Sequence, residues 1–286
     1  MQSLWQWRQG YLRDHPDMAQ ELDQFLRQAV GWSPLYSLAE RDPPGLDPEA
    51  TAQVIRLWQE HLTTGIPIAY ALEQVTWRDF TLRVSPGVLI PRPETELLVD
   101  LVLAWLQAQE HAQDQVGAWA DLGTGSGAIA LGLAAAGIPK VYAVDLSPEA
   151  LAVARINVER YHKQDQIHLR QGNWFEPLAD VAGSLQGVVA NPPYIPSALI
   201  PTLDPGVRDY EPHMALDGGE TGLAAIEILV QQAPIYLQSG GFWAVEVMIG
   251  QAPRVADLLA ADGRYRQITI TPDLAGIPRF VSAVCQ

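Results

Sequence analysis

The sequence predicts an α/β fold, with a parallel sheet covered by helices on both faces and a smaller helical region before it. Beyond about residue 90, short apolar runs alternate with segments of helical periodicity, which is typical of a parallel sheet. Residues 1–75 instead carry apolar side chains at helical spacing. With 286 residues, of which 48% are hydrophobic, the chain is long enough to form two domains.

The helical region is predicted from apolar spacing and from helix-start signals. Asp47 followed by Pro48 is typical of a helix start, because an aspartate caps the free N–H groups and proline suits the first helical position. We expect the tryptophans of this region to be core residues. Two earlier helices are predicted from apolar sets on either side of Pro16, namely Leu4, Trp5, Trp7 and Leu12, then Met18, Leu22, Phe25, Leu26 and Val30.

A β-hairpin is predicted between the two regions, with its turn at Arg78 and Asp79. Pro93 and the acids after it then open a helix, whose positive N-terminal end favours acidic side chains. The last strands are predicted at 241–247, 265–271 and 279–284. The predicted divisions are a helical domain at 1–75, a hairpin linker at 76–90 and the main domain at 91–286.

A glycine-rich loop lies between a predicted strand and a predicted helix. It consists of Gly123, Thr124, Gly125, Ser126 and Gly127. The glycines allow a sharp turn and a close approach to a ligand, and the helix start adds free N–H groups. Asp121 precedes the loop, and an acid there suits a cationic amino-acid group better than a pyrophosphate. The segment lacks the Gly-Lys-Ser/Thr of a phosphate-binding P-loop and the Gly-x-Gly-x-x-Gly spacing of NAD dehydrogenases.

Asp145 ends the next apolar run, followed by Ser147 and Pro148, which predict a capped helix start. An acid at the end of the second strand is suited to bind ribose hydroxyls. The alternative is a solvated carboxylate at a strand end.

Asn191, Pro192, Pro193 and Tyr194 follow a buried apolar run at 187–190. Asn191 supplies a side-chain carbonyl, and the prolines supply carbonyls without competing N–H donors. The ring of Tyr194 adds a stacking surface. This combination suits a flat amide or amino nitrogen, whose two N–H groups need acceptors, although the tetrapeptide alone also fits a proline-rich turn.

Taken in this order, residues 121–127, Asp145 and 191–194 resemble a class I S-adenosylmethionine-dependent methyltransferase. Further motifs resemble the HemK/PrmC family of protein-glutamine methyltransferases, which act on peptide chain release factors, over roughly residues 65–286. These motifs lie at 88–96, 210–212, 215–219, 222–223, 240–241, 246, 250–251 and 273–276.

The resemblance implies a Rossmann-like, seven-stranded sheet with one antiparallel strand near its edge. It implies S-adenosylmethionine as the cofactor, S-adenosylhomocysteine as the product and no metal. The implied partner is a release factor, whose Gly-Gly-Gln loop presents the glutamine. The implied cofactor residues are Asp121, Gly123, Thr124, Gly125, Ser126, Gly127, Asp145, Asn173, Trp174 and Asn191. The implied catalytic residues are Asn191, Pro192 and Tyr194, with Pro193 also in the substrate site.

Asn173 stands where an acid is common in that family, and its carbonyl is suited to meet the adenine amino group. Trp174 either covers the adenine or packs in the core. Arg92 and Glu94 are expected to brace either the glycine loop or the turn at 191–194. Arg208 and Glu211 either support the substrate loop as an ion pair or form an ordinary surface pair.

A glutamine amide nitrogen is a poor nucleophile, because its lone pair is shared with the carbonyl. The expected mechanism therefore holds it in line with the sulfonium methyl group. The carbonyl oxygens of Asn191 and Pro192 accept its two N–H bonds and stabilise the positive charge that develops. Tyr194 packs against the flat amide, and no histidine or lysine base is required.

Two other function classes remain open at this stage. A nucleic-acid adenine methyltransferase acts on a similar planar nitrogen, reached by base flipping, and a non-catalytic binder would retain only the fold. The net charge of −15 weighs against direct nucleic-acid binding. A single cysteine, Cys285, excludes an intrachain disulfide. We expect a cytoplasmic protein without a membrane partner, since neither an export signal nor a long apolar run is visible.

Overall fold

Five α-helices form the N-terminal region of the computed structural model, which describes residues 2–109 and 116–286. Their apolar faces meet around Phe25 and Trp58, whose rings lie 5.2 Å apart. Trp58 and Trp32 are buried as predicted, and Trp5 and Trp7 pack partly buried against the same core. The helices are α1 (Leu4–Asp14), α2 (Ala19–Val30), α3 (Pro34–Leu38), α4 (Pro48–Thr64) and α5 (Ile68–Ala71).

The predicted hairpin is present as β1 (Gln74–Trp77) and β2 (Phe80–Arg83), which pair antiparallel. Asn157 fixes the hairpin to the main domain. Its side chain accepts the N–H of Arg83 at 2.6 Å and donates to the carbonyl of Ser126 at 2.9 Å. One buried amide therefore joins the hairpin to the glycine loop. The division into domains at 75 and 90 stays a prediction.

The main sheet has seven strands in the order β5-β4-β3-β6-β7-β9-β8 within the described ranges. All neighbours pair in parallel except β9, which is antiparallel to both β7 and β8 and lies next to the edge. This arrangement confirms the topology that the resemblance implied. The strands are β3 (Ala118–Leu122), β4 (Lys140–Asp145), β5 (Ile167–Gln171), β6 (Leu185–Ala190), β7 (Leu237–Glu246), β8 (Tyr265–Pro272) and β9 (Pro278–Cys285).

Helices cover both faces of this sheet, because each face presents apolar side chains. One core gathers Val188 and Trp243 of the sheet with Ile226 and Val255 of the helices, and a second gathers Trp119 and Phe280 with residues of other helices. None of the helices in the described ranges is long and apolar enough to cross a membrane. The helices are α6 (Glu96–Ala108), α7 (Ala128–Ala135), α8 (Pro148–Arg160), α9 (Pro205–Arg208), α10 (Ala224–Tyr236) and α11 (Ala252–Asp262).

Two predicted element starts differ from the structure by three residues or more, and the bounds of β8 and β9 differ by one residue. Residues Pro93–Thr95 form a 3₁₀ turn, and α6 begins only at Glu96, because tighter 3₁₀ turns are common where a helix starts. β7 begins at Leu237 rather than at 241, since the strand continues through a register shift opposite β6. Gly240 takes a φ of +79° there, which glycine adopts without strain.

Candidate active site

A cavity of about 360 Å³ lies at the edge of the sheet where β3, β4 and β6 end. Its volume falls within the range of small-molecule sites. The cavity walls contain seven of the residues predicted for the cofactor and substrate. These are Gly123, Gly125, Asp145, Asn173, Trp174, Asn191 and Pro193.

The glycine loop folds back onto β4. The carbonyl of Val144 accepts both the N–H of Gly123 and the N–H of Thr124, each at 2.9 Å. Gly123, Gly125 and Gly127 have φ values of +75°, +55° and +82°, in the left-handed region that side chains disfavour. The loop therefore keeps its backbone at the cavity wall only because these positions are glycine.

Asp145 joins the loop to the start of α8. Its carboxylate accepts the N–H of Gly125 at 2.8 Å and the N–H of Ser147 at 2.9 Å. Burial raises the pKa of Asp145, and these two hydrogen bonds oppose that shift. Each carboxylate oxygen retains further acceptor capacity at the cavity wall, which is suited to donors such as hydroxyl groups.

Asn173 and Trp174 follow β5 and enter the cavity from its far side. Trp174 has a φ of +50°, which is rare for a large side chain. Its ring stands over Gly123, where a Cβ would meet a ring carbon at 3.5 Å, and it also packs against the core. The ring therefore lines the cavity and contacts the core at the same time, and its role toward an adenine stays a prediction. Asn173 is exposed beside it.

A chain of hydrogen bonds holds Asn191 where β6 ends. Its side-chain N–H donates to Thr95 Oγ1 at 3.1 Å, and the Thr95 hydroxyl donates to Glu246 Oε2 at 2.6 Å. Tyr194 donates its phenol proton to Glu246 Oε1 at 3.0 Å. Sequence reasoning gave Thr95 and Glu246 no role, although both lie in motifs of the resemblance. Neither motif shows that the two residues meet across 151 positions of the chain.

Six predicted site residues do not line the cavity. Asp121 is fully buried below the loop, where its Oδ2 accepts the Thr124 hydroxyl at 2.5 Å and the N–H of Ala130 at 3.0 Å. Its Oδ1 has no hydrogen-bond partner in the described part of the chain. The roles of these residues toward a cofactor or substrate stay predictions. The six are Asp121, Thr124, Ser126, Gly127, Pro192 and Tyr194.

The expected pairing of Arg208 with Glu211 is wrong. Glu211 is buried and pairs with Arg92 at 2.5 Å, whereas Arg208 pairs with its neighbour Asp209 at 2.7 Å. Arg208 lies on the exposed side of α9, so the adjacent carboxylate is within easier reach. Arg92 thus braces the loop around Glu211, while Glu94 is exposed. That these two residues support the glycine loop or the turn at 191–194 stays a prediction.

A second cavity of about 460 Å³ lies between the helical region and this loop. His61 and Pro67 contribute to it from the helical side, and Arg92 and Glu211 from the main domain. Within 2–109 and 116–286, no group of three or more His, Cys, Asp or Glu side chains is arranged to hold a metal ion.

Burial gives Asp121 a testable pH signature. It raises the pKa of Asp121 from 3.8 to about 7, against the hydrogen bonds from Thr124 and Ala130. Between these values the folded protein keeps a proton that the unfolded chain has lost, so this group's contribution to stability falls as pH rises. We expect the stability of the wild type relative to Asp121→Asn to decrease between about pH 4 and about pH 7.

Urea unfolding at several pH values measures this difference. Asp165→Asn removes an exposed loop carboxylate and serves as the control, which should follow the wild type throughout. Parallel pH profiles for the wild type and Asp121→Asn would show that Asp121 is not a perturbed acid.

The chain was compared with known proteins. The family model for ribosomal protein L11 methyltransferase (PrmA) matches residues 98–200. A release factor glutamine methyltransferase from Synechocystis sp. is 49% identical over 82% of this chain and 79% of its own length. Proteins of the same name from Thermosynechococcus vestitus and Gloeobacter violaceus are 41% and 42% identical, over 99% and 96% of this chain and 97% and 94% of theirs.

Among solved structures, the hMettl16 catalytic domain, solved with an RNA hairpin, matches with a TM-score of 0.55 and 14% identity, over 84% of this chain and 82% of that one. The human methyltransferase 10 domain containing protein matches with a TM-score of 0.50 and 16% identity, over 84% and 98%. These likenesses confirm the methyltransferase fold, and the closer sequence relatives decide the family. The chain belongs to the release factor glutamine methyltransferase family.

Proposed function

We propose that this protein transfers a methyl group from S-adenosylmethionine to the side-chain amide nitrogen of the glutamine in the Gly-Gly-Gln loop of peptide chain release factors. The observation that carries the proposal is the position of Asn191. It lies in the wall of a cofactor-sized cavity, with its N–H side bonded to Thr95 and its carbonyl left for another donor. The names of its relatives support the choice of substrate.

The cavity suits the proposed cofactor. Asp145 offers acceptors for the ribose hydroxyls, and Gly123 and Gly125 leave room where side chains would intrude. Trp174 presents a ring face for the adenine, beside the side chain of Asn173. S-adenosylmethionine supplies an electrophilic methyl group when it is bound there.

The protein's part in the reaction is to hold the glutamine amide. The carbonyl oxygens of Asn191 and Pro192 accept its two N–H bonds, which fixes the direction of the nitrogen lone pair. As positive charge develops on the nitrogen, the same two dipoles stabilise it without having to reorient. Tyr194 packs against the amide plane, and its bond to Glu246 fixes the ring. A proton leaves the nitrogen after transfer, so no dedicated base is needed.

Asp145 is expected to contribute directly to cofactor affinity. Asp145→Ala removes the acceptor for the ribose and for the Gly125 N–H. We expect S-adenosylmethionine to bind more weakly by about 1–3 kcal/mol, which is roughly fivefold to 150-fold in Kd. Titration calorimetry measures the change, with Asp165→Ala as a matched exposed acid. An unchanged Kd for Asp145→Ala would remove this residue from the site.

The function itself is tested with methyl-labelled cofactor, an intact release factor and duplex DNA. Label is expected on the release factor alone, with mass spectrometry locating the methyl on the loop glutamine, and a release factor lacking that glutamine should stay unlabelled. Asn191→Ala should lower kcat by about 10²–10³, the range seen when one preorganised transition-state hydrogen bond is lost. Binding of S-adenosylmethionine should remain measurable.

Two results would contradict the proposal. Label on DNA with none on the release factor would favour the nucleic-acid methyltransferase instead. Near-normal turnover by Asn191→Ala would reject the acceptor mechanism, whatever the substrate.

The helical region at 1–75 is proposed as the surface that recognises the release factor. The site around Asn191 recognises only the glutamine side chain, so other contacts must select the correct protein. α3 exposes Leu35 and Leu38, at 71% and 81% of their surface, and the second cavity opens between this region and the loop around Glu211. Exposed leucines of this kind favour contact with a partner over solvent.

Replacing both leucines tests this role. Leu35→Ser with Leu38→Ser should raise KM for the intact release factor about tenfold, because a buried leucine contributes about 1.5–3 kcal/mol and a tenfold change needs about 1.4. The Kd for S-adenosylmethionine and kcat should not change. Ile235→Ser, an exposed apolar residue on α10, is the control. Equal KM values for all three proteins would place recognition elsewhere.

A further inference from the structure

The side-chain amide of Asn191 has two orientations of nearly the same shape. In one its carbonyl faces the substrate nitrogen and accepts an N–H bond. In the other its NH₂ group faces the substrate and opposes the positive charge that develops there. The reaction therefore requires a neighbouring group whose hydrogen bonding favours the first orientation.

Thr95 is the neighbour that decides between them. Its hydroxyl has one proton and two acceptor lone pairs, and it lies 3.1 Å from Asn191 and 2.6 Å from Glu246. A carboxylate has no proton to give, so the Thr95 proton goes to Glu246. Only lone pairs then remain for Asn191, and its NH₂ group must turn toward Thr95.

Glu246 gives the chain its direction because it accepts at both oxygens. Oε2 takes the Thr95 proton and Oε1 takes the Tyr194 proton. The residue is 1% exposed, so water does not compete for these positions. Thr95 is also buried, and neither Thr95 nor Glu246 lines the cofactor cavity. Their effect on the reaction must therefore pass through Asn191 and Tyr194.

Burial raises the pKa of Glu246, whereas the hydrogen bonds from Thr95 and Tyr194 and the nearby Arg279 lower it. Arg279 comes from β9, and Asp273 holds its guanidinium at 2.9 Å. Glu94 acts in the opposite sense on Glu246. The carboxylate thus has two donors and one cation to offset the loss of water.

We propose that Thr95 and Glu246 are positioning residues, which hold the carbonyl of Asn191 toward the substrate nitrogen through a one-way hydrogen-bond chain. The effect on catalysis rests on the proposed function. The donor-to-acceptor direction of the hydrogen bonds from Asn191 through Thr95 to Glu246 does not. The same carboxylate anchors the Tyr194 ring, so one buried acid orients both the acceptor and the stacking surface of the amide site.

The direction of the chain is measured without substrate. The protein contains three asparagines, Asn157, Asn173 and Asn191, so labelling asparagine with ¹⁵N gives three side-chain NH₂ signals. The signal lost in Asn191→Ala identifies Asn191. One of its two protons should be shifted downfield and protected from exchange in the wild type and in Thr95→Ser, and neither should be in Thr95→Val. A protected proton that persists in Thr95→Val overturns the proposed direction.

The catalytic consequence is measured on the release factor. Glu246→Gln introduces a donor into the chain and should lower kcat about 10²-fold, as does the loss of one preorganised hydrogen bond. Thr95→Val frees the amide to turn and should lower kcat about tenfold, equivalent to about 1.4 kcal/mol. Thr95→Ser, which keeps the hydroxyl, should recover most of the activity. The Kd for S-adenosylmethionine should be unchanged in all three.

Thr51→Val is the matched control, since it removes the hydroxyl of a buried threonine in α4, far from the cavity. Wild-type kcat in both Thr95→Val and Glu246→Gln overturns the proposal, as does an equal loss in Thr95→Ser and Thr95→Val. A wild type that labels no release factor contradicts the proposed function instead, and the NMR signals then decide the direction of the chain independently.

Discussion

Parallel pairing of β3, β4 and β6 is the constraint on which the candidate site depends. Leu122 pairs with Val144 on one side and with Ala190 on the other, so the three strands end level with one another. Gly123 follows β3, Asn191 follows β6 and Asp145 is the last residue of β4, so the three meet at one edge although they are distant in sequence. Without this register, the glycine loop and Asn191 would not line the same cavity.

Four buried acidic side chains lie around the candidate site, and the fold has to stabilise their charged forms. Burial raises the pKa values of Asp121, Asp145, Glu211 and Glu246, all near the carboxyl edge of the sheet. Each accepts hydrogen bonds that favour the charged form, and Glu211 and Glu246 also have an arginine nearby. Removing a carboxylate from water is costly, and the hydrogen bonds that offset this cost also fix the groups that donate them. Asp145 orients the loop, and Glu246 orients Thr95 and Tyr194.

Much of this architecture follows from local sequence. Alternation of apolar runs with helical segments predicted the doubly covered sheet, and the glycines predicted a sharply turning loop, in which the structure gives Gly123, Gly125 and Gly127 positive φ values. The family resemblance predicted one antiparallel strand near the edge of the sheet, which is β9 in the structure. Asn191 was singled out because it and the two prolines after it offer carbonyl acceptors at a buried strand end, although the tetrapeptide alone also fits a proline-rich turn.

What the sequence did not predict depends on contacts between distant segments. The chain from Asn191 through Thr95 to Glu246 joins three separate motifs, and no periodicity shows which of their polar atoms meet. The pairing of Glu211 with Arg92 instead of Arg208 spans 119 positions, and local spacing favoured the wrong partner. The positive φ of Trp174 is a third case, since it accompanies a contact between its ring and the distant Gly123 that local sequence does not show.

The helical region is less independent of the cofactor cavity than its separate core suggests. Tyr70, which precedes the hairpin, is buried and donates its phenol proton to the carbonyl of Val88 at 2.7 Å. Val88 lines the cofactor cavity, and Tyr70 packs with it and with Ala150 and Val153 of α8 in one apolar cluster. A chain shortened to begin near Thr76 would lose this bond and part of the cluster. Residues before the predicted boundary at 75 therefore support the cavity wall through Val88, and single surface substitutions separate recognition from cofactor binding more cleanly than truncation does.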